Sequence, residues 1–108
     1  MSDHPRPLLL SYLRVDLLAD EELAEVKKRL TRFAWAEGYA LGTVFVEQPN
    51  TESAAFEALV EAARQQEAAA VVVPGLHHFA FIGSPSAIRD DIERHTGARV
   101  LTAMAAFT

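Results

Sequence analysis

Residues whose types could do chemistry gather at three places in this chain, each just behind an apolar run. Arg14 and Asp16 follow Leu8-Leu9-Leu10-Ser11-Tyr12-Leu13; Thr51 and Ser53 follow Val44-Phe45-Val46-Glu47; His77 and His78 follow Val71-Val72-Val73. Asp16 beside Arg14 could form a ligand site that takes a cation or an amine. It could equally cap the loop behind the strand and pair with Arg14. Two histidines could ligate a metal, since imidazole is the commonest such ligand. Neighbouring side chains usually point apart, however, and no acid lies at a matching short spacing. Thr51 or Ser53 could act as a nucleophile with a histidine as base. No Gly-x-Ser-x-Gly elbow surrounds them, and hydroxyls ahead of a helix commonly serve as caps. His4 and His95 have no motif around them. The glycines form neither a dinucleotide fingerprint nor a phosphate-binding loop, so no metal and no cofactor is expected.

The elements that must position these residues alternate between two periods. Leu8 to Val15 is a short apolar run suited to a strand buried on both faces. Asp20 is a candidate N-cap, with Glu21 and Glu22 where the helix dipole favours acid. Leu23, Val26, Leu30, Phe33 and Ala34 then recur at helical spacing, and Gly38 ends that helix. Tyr39 to Glu47 is a second strand, in which Gly42 marks a bulge or a close backbone approach. After the loop Gln48–Glu52, Ser53 can cap a helix whose apolar face is Phe56, Leu59, Val60 and Ala63. Ala69 to Val73 is a third buried strand, broken by Pro74-Gly75. Ser84-Pro85 opens a third helix, with Ala87, Ile88, Ile92 and His95 as its inner stripe and Gly97 at its end. Arg99 to Met104 is a fourth strand. The order β-α-β-α-β-α-β predicts an α/β three-layer sandwich around a mostly parallel four-stranded sheet. Ligands in such folds bind beyond the carboxyl ends of the strands, where Arg14, Asp16, Thr51, Ser53, His77 and His78 all fall.

The totals narrow the function. The 108 residues fit one domain (residues 1–108), with 1–6 expected as a loose arm, and half of them are apolar. Fifteen acids against ten bases give a net charge of −5, the wrong sign for a protein that binds nucleic acid by neutralising phosphates. There are no cysteines, which excludes disulfides and thiolate sites and fits a reducing cytoplasm. Leu8–Leu10 is too short for a signal peptide or a membrane span. A cytoplasmic location without membrane attachment is expected.

One family resemblance combines these features. Tyr12-Leu13-Arg14-Val15-Asp16 at the end of the first strand is similar to the Tyr-x-Arg-Val-Ser motif of serine recombinases (resolvases and invertases), in which the serine attacks a DNA phosphate. Glu37-Gly38-Tyr39, the strand ending in Glu47 and the segment Ser53 to Leu59 follow in the family's order, and Val71 to Phe79 stands where the family has Leu-Asp-Arg-Leu-x-Arg. The resemblance spans about residues 8 to 80 and implies a resolvase-like catalytic-domain fold. The departures decide the chemistry. Asp16 replaces the nucleophile, Ser53 a phosphate-binding arginine, and His77-His78 an Asp-Arg pair. Phosphoryl transfer needs preorganised positive charge around the phosphate, and only Arg14 of that set is kept.

The sequence therefore points to a resolvase-like domain without recombinase activity that binds another protein, as a homodimer or a regulatory subunit. Candidate interface residues are Trp35, which lies off the apolar stripe of the first helix, and Phe79, Phe81 and Ile82, which could instead belong to the core. A small-ligand sensor or enzyme built on the residues at the sheet end is the second expectation. The third is an accessory DNA-binding partner of a recombinase, using the basic cluster Lys27, Lys28, Arg29 and Arg32.

Overall fold

The computed structural model describes residues 6–18 and 22–103. Its elements are β1 (Leu8–Arg14), α1 (Leu23–Ala36), β2 (Ala40–Glu47), α2 (Ala54–Gln65), β3 (Ala70–Val73), α3 (Pro85–Thr96) and β4 (Arg99–Thr102). Single 3-10 turns lie at Val15–Leu17 and Leu76–Phe79. Every strand pairing is parallel, in the order β2-β1-β3-β4. From β1 the chain steps to one edge, then crosses back over β1 and steps twice toward the other. Right-handed crossovers then require α1 on one face and both α2 and α3 on the opposite face.

Two separate apolar clusters record that division. Leu9 and Leu13 of β1, with Ala70 and Val72 of β3, pack against Val26, Leu30 and Ala34 of α1. Leu10 and Tyr12, with Val71 and Val73, pack against Leu59 and Ala63 of α2, Phe79, and Ile92 of α3. Because both faces of β1 and β3 are covered, their sequences read as unbroken apolar runs rather than as alternation. The fold is a three-layer α/β sandwich.

Element ends differ from the sequence expectation by a residue or a turn. Asp20 and Met104 lie outside the described residues. Glu22 occupies the N-cap of α1 without a side-chain capping bond. Gly38 and Gly97 follow α1 and α3 at φ +90° and +78°, left-handed positions that glycine takes without steric cost. At Gly42 the expected bulge holds, whereas the close approach is by leucine side chains, the Leu9 carbonyl oxygen lying 3.7 Å from where a Cβ would stand. The β1–β2 register slips between Leu9 and Ser11, and a Cβ at Gly42 would lie 2.8 Å from the Cδ1 of Leu8.

The inner stripe expected of α3 is narrower than its periodicity suggests. Ile92 is buried and Ile88 half-buried, whereas Ala87 and His95 are exposed. This helix leans on β4, an edge strand of four residues, which offers little surface to cover. The N-terminal arm is likewise not loose at its last residue. The Arg6 guanidinium donates to the Trp35 carbonyl (2.5 Å) and the Tyr39 carbonyl (3.2 Å). Among the described residues no helix is long and apolar enough to cross a membrane.

Candidate functional site

The switch in chain direction leaves the carboxyl ends of β1 and β3 side by side, and Arg14 is the last residue of β1 there. Only 2% of its surface reaches solvent. Its Nε and one terminal nitrogen donate to the two oxygens of Asp16 (3.2 and 3.3 Å), and the other terminal nitrogen donates to the Glu52 carbonyl (3.4 Å). Phe81 lies over the guanidinium, with the central carbon 4.2 Å from the ring centroid, a cation–π contact. Burial works against this charge, and the Asp16 carboxylate more than offsets it. The pairing foreseen for Arg14 and Asp16 is therefore present, in bidentate form.

His78 closes the same end from below. Its Nδ1 accepts the backbone N–H of Arg14 at 2.9 Å, so that nitrogen must be unprotonated. Burial first, and the neighbouring His77 second, push its pKa down to about 4, and the ring is a fixed neutral acceptor at neutral pH. His77 is exposed, its ring tilted against His78 with centroids 4.6 Å apart. The two rings do not point apart as adjacent side chains commonly do, because the 3-10 turn swings them together. No group of three potential ligands that could hold a metal exists among the described residues.

The Thr51 hydroxyl at the second strand end serves Glu47, which the sequence did not single out as a functional residue. Its carboxylate is fully buried. It accepts the hydroxyls of Tyr12 (3.1 Å) and Thr51 (2.5 Å), and the backbone N–H groups of Ala55 and Phe56 (3.1 Å each). Burial opposes ionisation, yet these bonds outweigh it and hold the carboxyl below its usual range. Glu47 thus caps α2 from the strand. Ser53 occupies the N-cap position but turns its hydroxyl to the Glu57 carboxylate (3.0 Å) and makes no capping bond. The available signal was a strand ending in acid a few residues before a helix N-terminus. Tyr12, whose phenol is pushed up by burial and by Glu47, bridges the two halves of the site. Its ring meets Phe56 edge-on at 5.6 Å and stacks on Phe79 at 6.1 Å.

Of the residues expected at the sheet end, Arg14, Asp16 and His78 form one bonded group, with His77 beside it. Thr51 belongs to the separate Glu47 group, and Ser53 to the first turn of α2. The expected interface residues also part company. Phe79 is core, Ile82 is half-buried, and Phe81 is 65% exposed. Trp35 is 68% exposed, with Arg6 stacked over its ring at 3.7 Å. The sequence reading missed an apolar groove of about 270 Å³ between α2 and α3, lined by Phe56, Val60, Ile88, Asp91, Ile92 and His95.

Comparison with known proteins adds no relative: no family model, no curated protein and no solved structure matches this chain.

Proposed function

We propose that this is a resolvase-like domain without recombinase activity that works by binding protein. The observation carrying this reading is the state of Arg14. Its polar directions meet Asp16 and Glu52, and its open face lies under Phe81. A phosphodiester would have to displace an intramolecular carboxylate, whose local concentration far exceeds that of any ligand in solution. It would also approach a chain of net charge −5, against the field. The parallel sheet and the place of Arg14 at the end of its first strand fit the suggested ancestry. The exposed Trp35 and Phe81 supply aromatic anchors of the kind protein interfaces use.

The experiment has two arms. Supercoiled plasmid incubated with the protein at about 100 mM salt is expected to be neither nicked nor joined covalently to protein, for the wild type and for Asp16→Ser alike. Cleavage by the wild type would overturn the proposal. In the second arm the tagged chain is used as bait in nuclease-treated lysate of its own organism. A partner lost on both Trp35→Ala and Phe81→Ala supports the reading. Stabilisation of the wild type by inorganic phosphate, with no protein captured, would turn the assignment to ligand sensing.

A further inference from the structure

The two edges of the sheet are finished differently. β4 is four residues long, opens on an exposed Arg99 and carries a side chain on its outer side, where the Glu93 carboxylate accepts the Val100 N–H at 3.0 Å. β2 is eight residues long and pairs, among the described residues, with β1 alone. Ala40 to Val46 contains neither charge nor proline, the residues that commonly guard an edge. The bulge at Gly42-Thr43 interrupts only the first half of the strand and leaves Val44 to Glu47 in regular register with β1.

The ladder fixes which backbone groups of that stretch face outward. The Pro7 carbonyl accepts the Ala40 N–H and the Leu8 carbonyl accepts the Ala69 N–H. Odd-numbered residues of β1 therefore bond β2, and even-numbered ones bond β3. In a parallel ladder a bonding residue joins the two neighbours of the residue opposite it. Ser11 and Leu13 stand opposite Val44 and Val46, so they join Thr43, Phe45 and Glu47. The N–H and C=O groups of Val44 and Val46 are left pointing away from β1, with no backbone partner among the described residues.

The flank above this edge is small and uncharged. On α2, Phe56 and Val60 look toward α3, while Leu59 and Ala63 face the sheet. Helical spacing then puts Ala55, Ala58 and Ala62 on the β2 side, and Ala55 and Ala62 share a core cluster with Phe45. Ala58 is exposed. No long side chain stands there to keep a second strand off.

We propose that a second copy of this chain pairs with this edge, β2 against β2 antiparallel about a two-fold axis at Phe45. This rests on the protein-binding reading, names one partner, and uses a surface apart from Trp35 and Phe81. The backbone groups alone would accept any extended strand. What singles out this chain's own β2 is that Val44-Phe45-Val46 reads the same in both directions. The axis sets Val44 opposite Val46 at both ends, where each pair closes two hydrogen bonds through the free groups. It sets Phe45 opposite Phe45 at the non-hydrogen-bonded position, where facing side chains come closest. Thr43 faces Glu47, so no like charges meet along the strand. The two α2 helices approach through Ala58. The contact is isologous and closes at the dimer.

Sedimentation velocity over a concentration series reaching about 1 mM tests this, with amide exchange followed by NMR at both ends of the series. The wild type is expected to pass from monomer to dimer and stop there, and raised salt should not dissolve the dimer. The amides of Val44 and Val46 should exchange more slowly at high concentration, while that of Phe45, already bonded to β1, keeps its rate. Val46→Pro deletes an outward N–H and no bond to β1; it should stay monomeric, with circular dichroism checking its fold. Ala58→Lys and Ala58→Glu should each raise the dissociation constant about tenfold or more, and mixing them should restore the dimer as a heterodimer. A wild type monomeric throughout overturns the proposal. So does a dimer in which Val44 and Val46 exchange as fast as in the monomer, or one that neither Val46→Pro nor the Ala58 variants weaken. Each of these leaves the protein-binding reading to its own two arms.

Discussion

Glu47 shows how much a single residue can hold. A buried carboxylate with four hydrogen-bond donors joins the end of β2 to the start of α2 and to Tyr12 of β1. Glu47→Gln keeps the shape but sets an NH2 group against donors, so at least one buried N–H or O–H loses its acceptor. We expect a loss of about 2–4 kcal/mol at pH 7, read from urea unfolding midpoints. The sign of its pH dependence follows from the lowered folded pKa. The contribution is present above the unfolded pKa and is lost as pH falls through the folded one. The wild-type and Glu47→Gln stability curves should therefore converge in acid, and a constant gap down to pH 3 would count against ionic capping. His78 acts in the same sense over a higher range. Its pKa is near 4 in the folded protein and about 6.5 unfolded, so the unfolded chain binds the proton first and stability falls as pH drops from about 6.5 to about 4. That single group accounts for up to about 3 kcal/mol. Asn at this position offers an oxygen where Nδ1 stood, and cannot titrate. His78→Asn should lower stability at pH 7 yet flatten its slope between pH 6.5 and 4.5, and an unchanged slope would move the effect elsewhere.

At the scale of elements, glycine at helix ends can be tested without touching the core. Gly97 closes α3 at φ +78°, and a Cβ there would meet nothing within 4 Å. The cost of Gly97→Ala is therefore backbone strain alone, about 1 kcal/mol, visible as a shift in thermal midpoint. Gly97→Asn should recover part of it, because Asn tolerates the left-handed region. A neutral Gly97→Ala would mean the helix end relaxes. This end was legible in the sequence, as were all four strands and the stripes of α1 and α2, because buried parallel strands and amphipathic helices leave periods that survive without context. What was not legible depends on contacts between elements. The stripe of α3 seemed wider than the edge strand it covers. Ser53, well placed for a cap, gave way to a carboxylate from β2, and Phe79 and Phe81 were separated by a 3-10 turn that apolar spacing alone does not disclose. At the candidate site the Arg14–Asp16 pair could be read from a spacing of two. The acceptor role of His78 could not, since it joins residues 64 apart in the chain.

For the whole molecule the uneven layers set where it opens first. β1 and β3 lie between both layers and are buried along almost their whole length, whereas β2 and β4 are edges. The β4 strand is four residues long, pairs with β3 alone and carries an exposed Arg99. Its outer side is guarded at one point, where the Glu93 carboxylate accepts the Val100 N–H at 3.0 Å, a side-chain block on an open edge. Local opening draws on the segments with the least buried apolar contact, here β4 together with α3, whose sole buried residue is Ile92. Native-state hydrogen exchange should find the amides of Leu10, Tyr12 and Val72 exchanging only through global unfolding. Those of Leu101 and the last turn of α3 should exchange through a smaller opening that depends less on denaturant. Glu93→Gln removes the guarding charge and is expected to speed exchange of the α3–β4 unit while β1 and β3 keep their protection. Equal acceleration in all four strands would mean that the sheet opens as one unit and that its second edge is as firmly held as its centre.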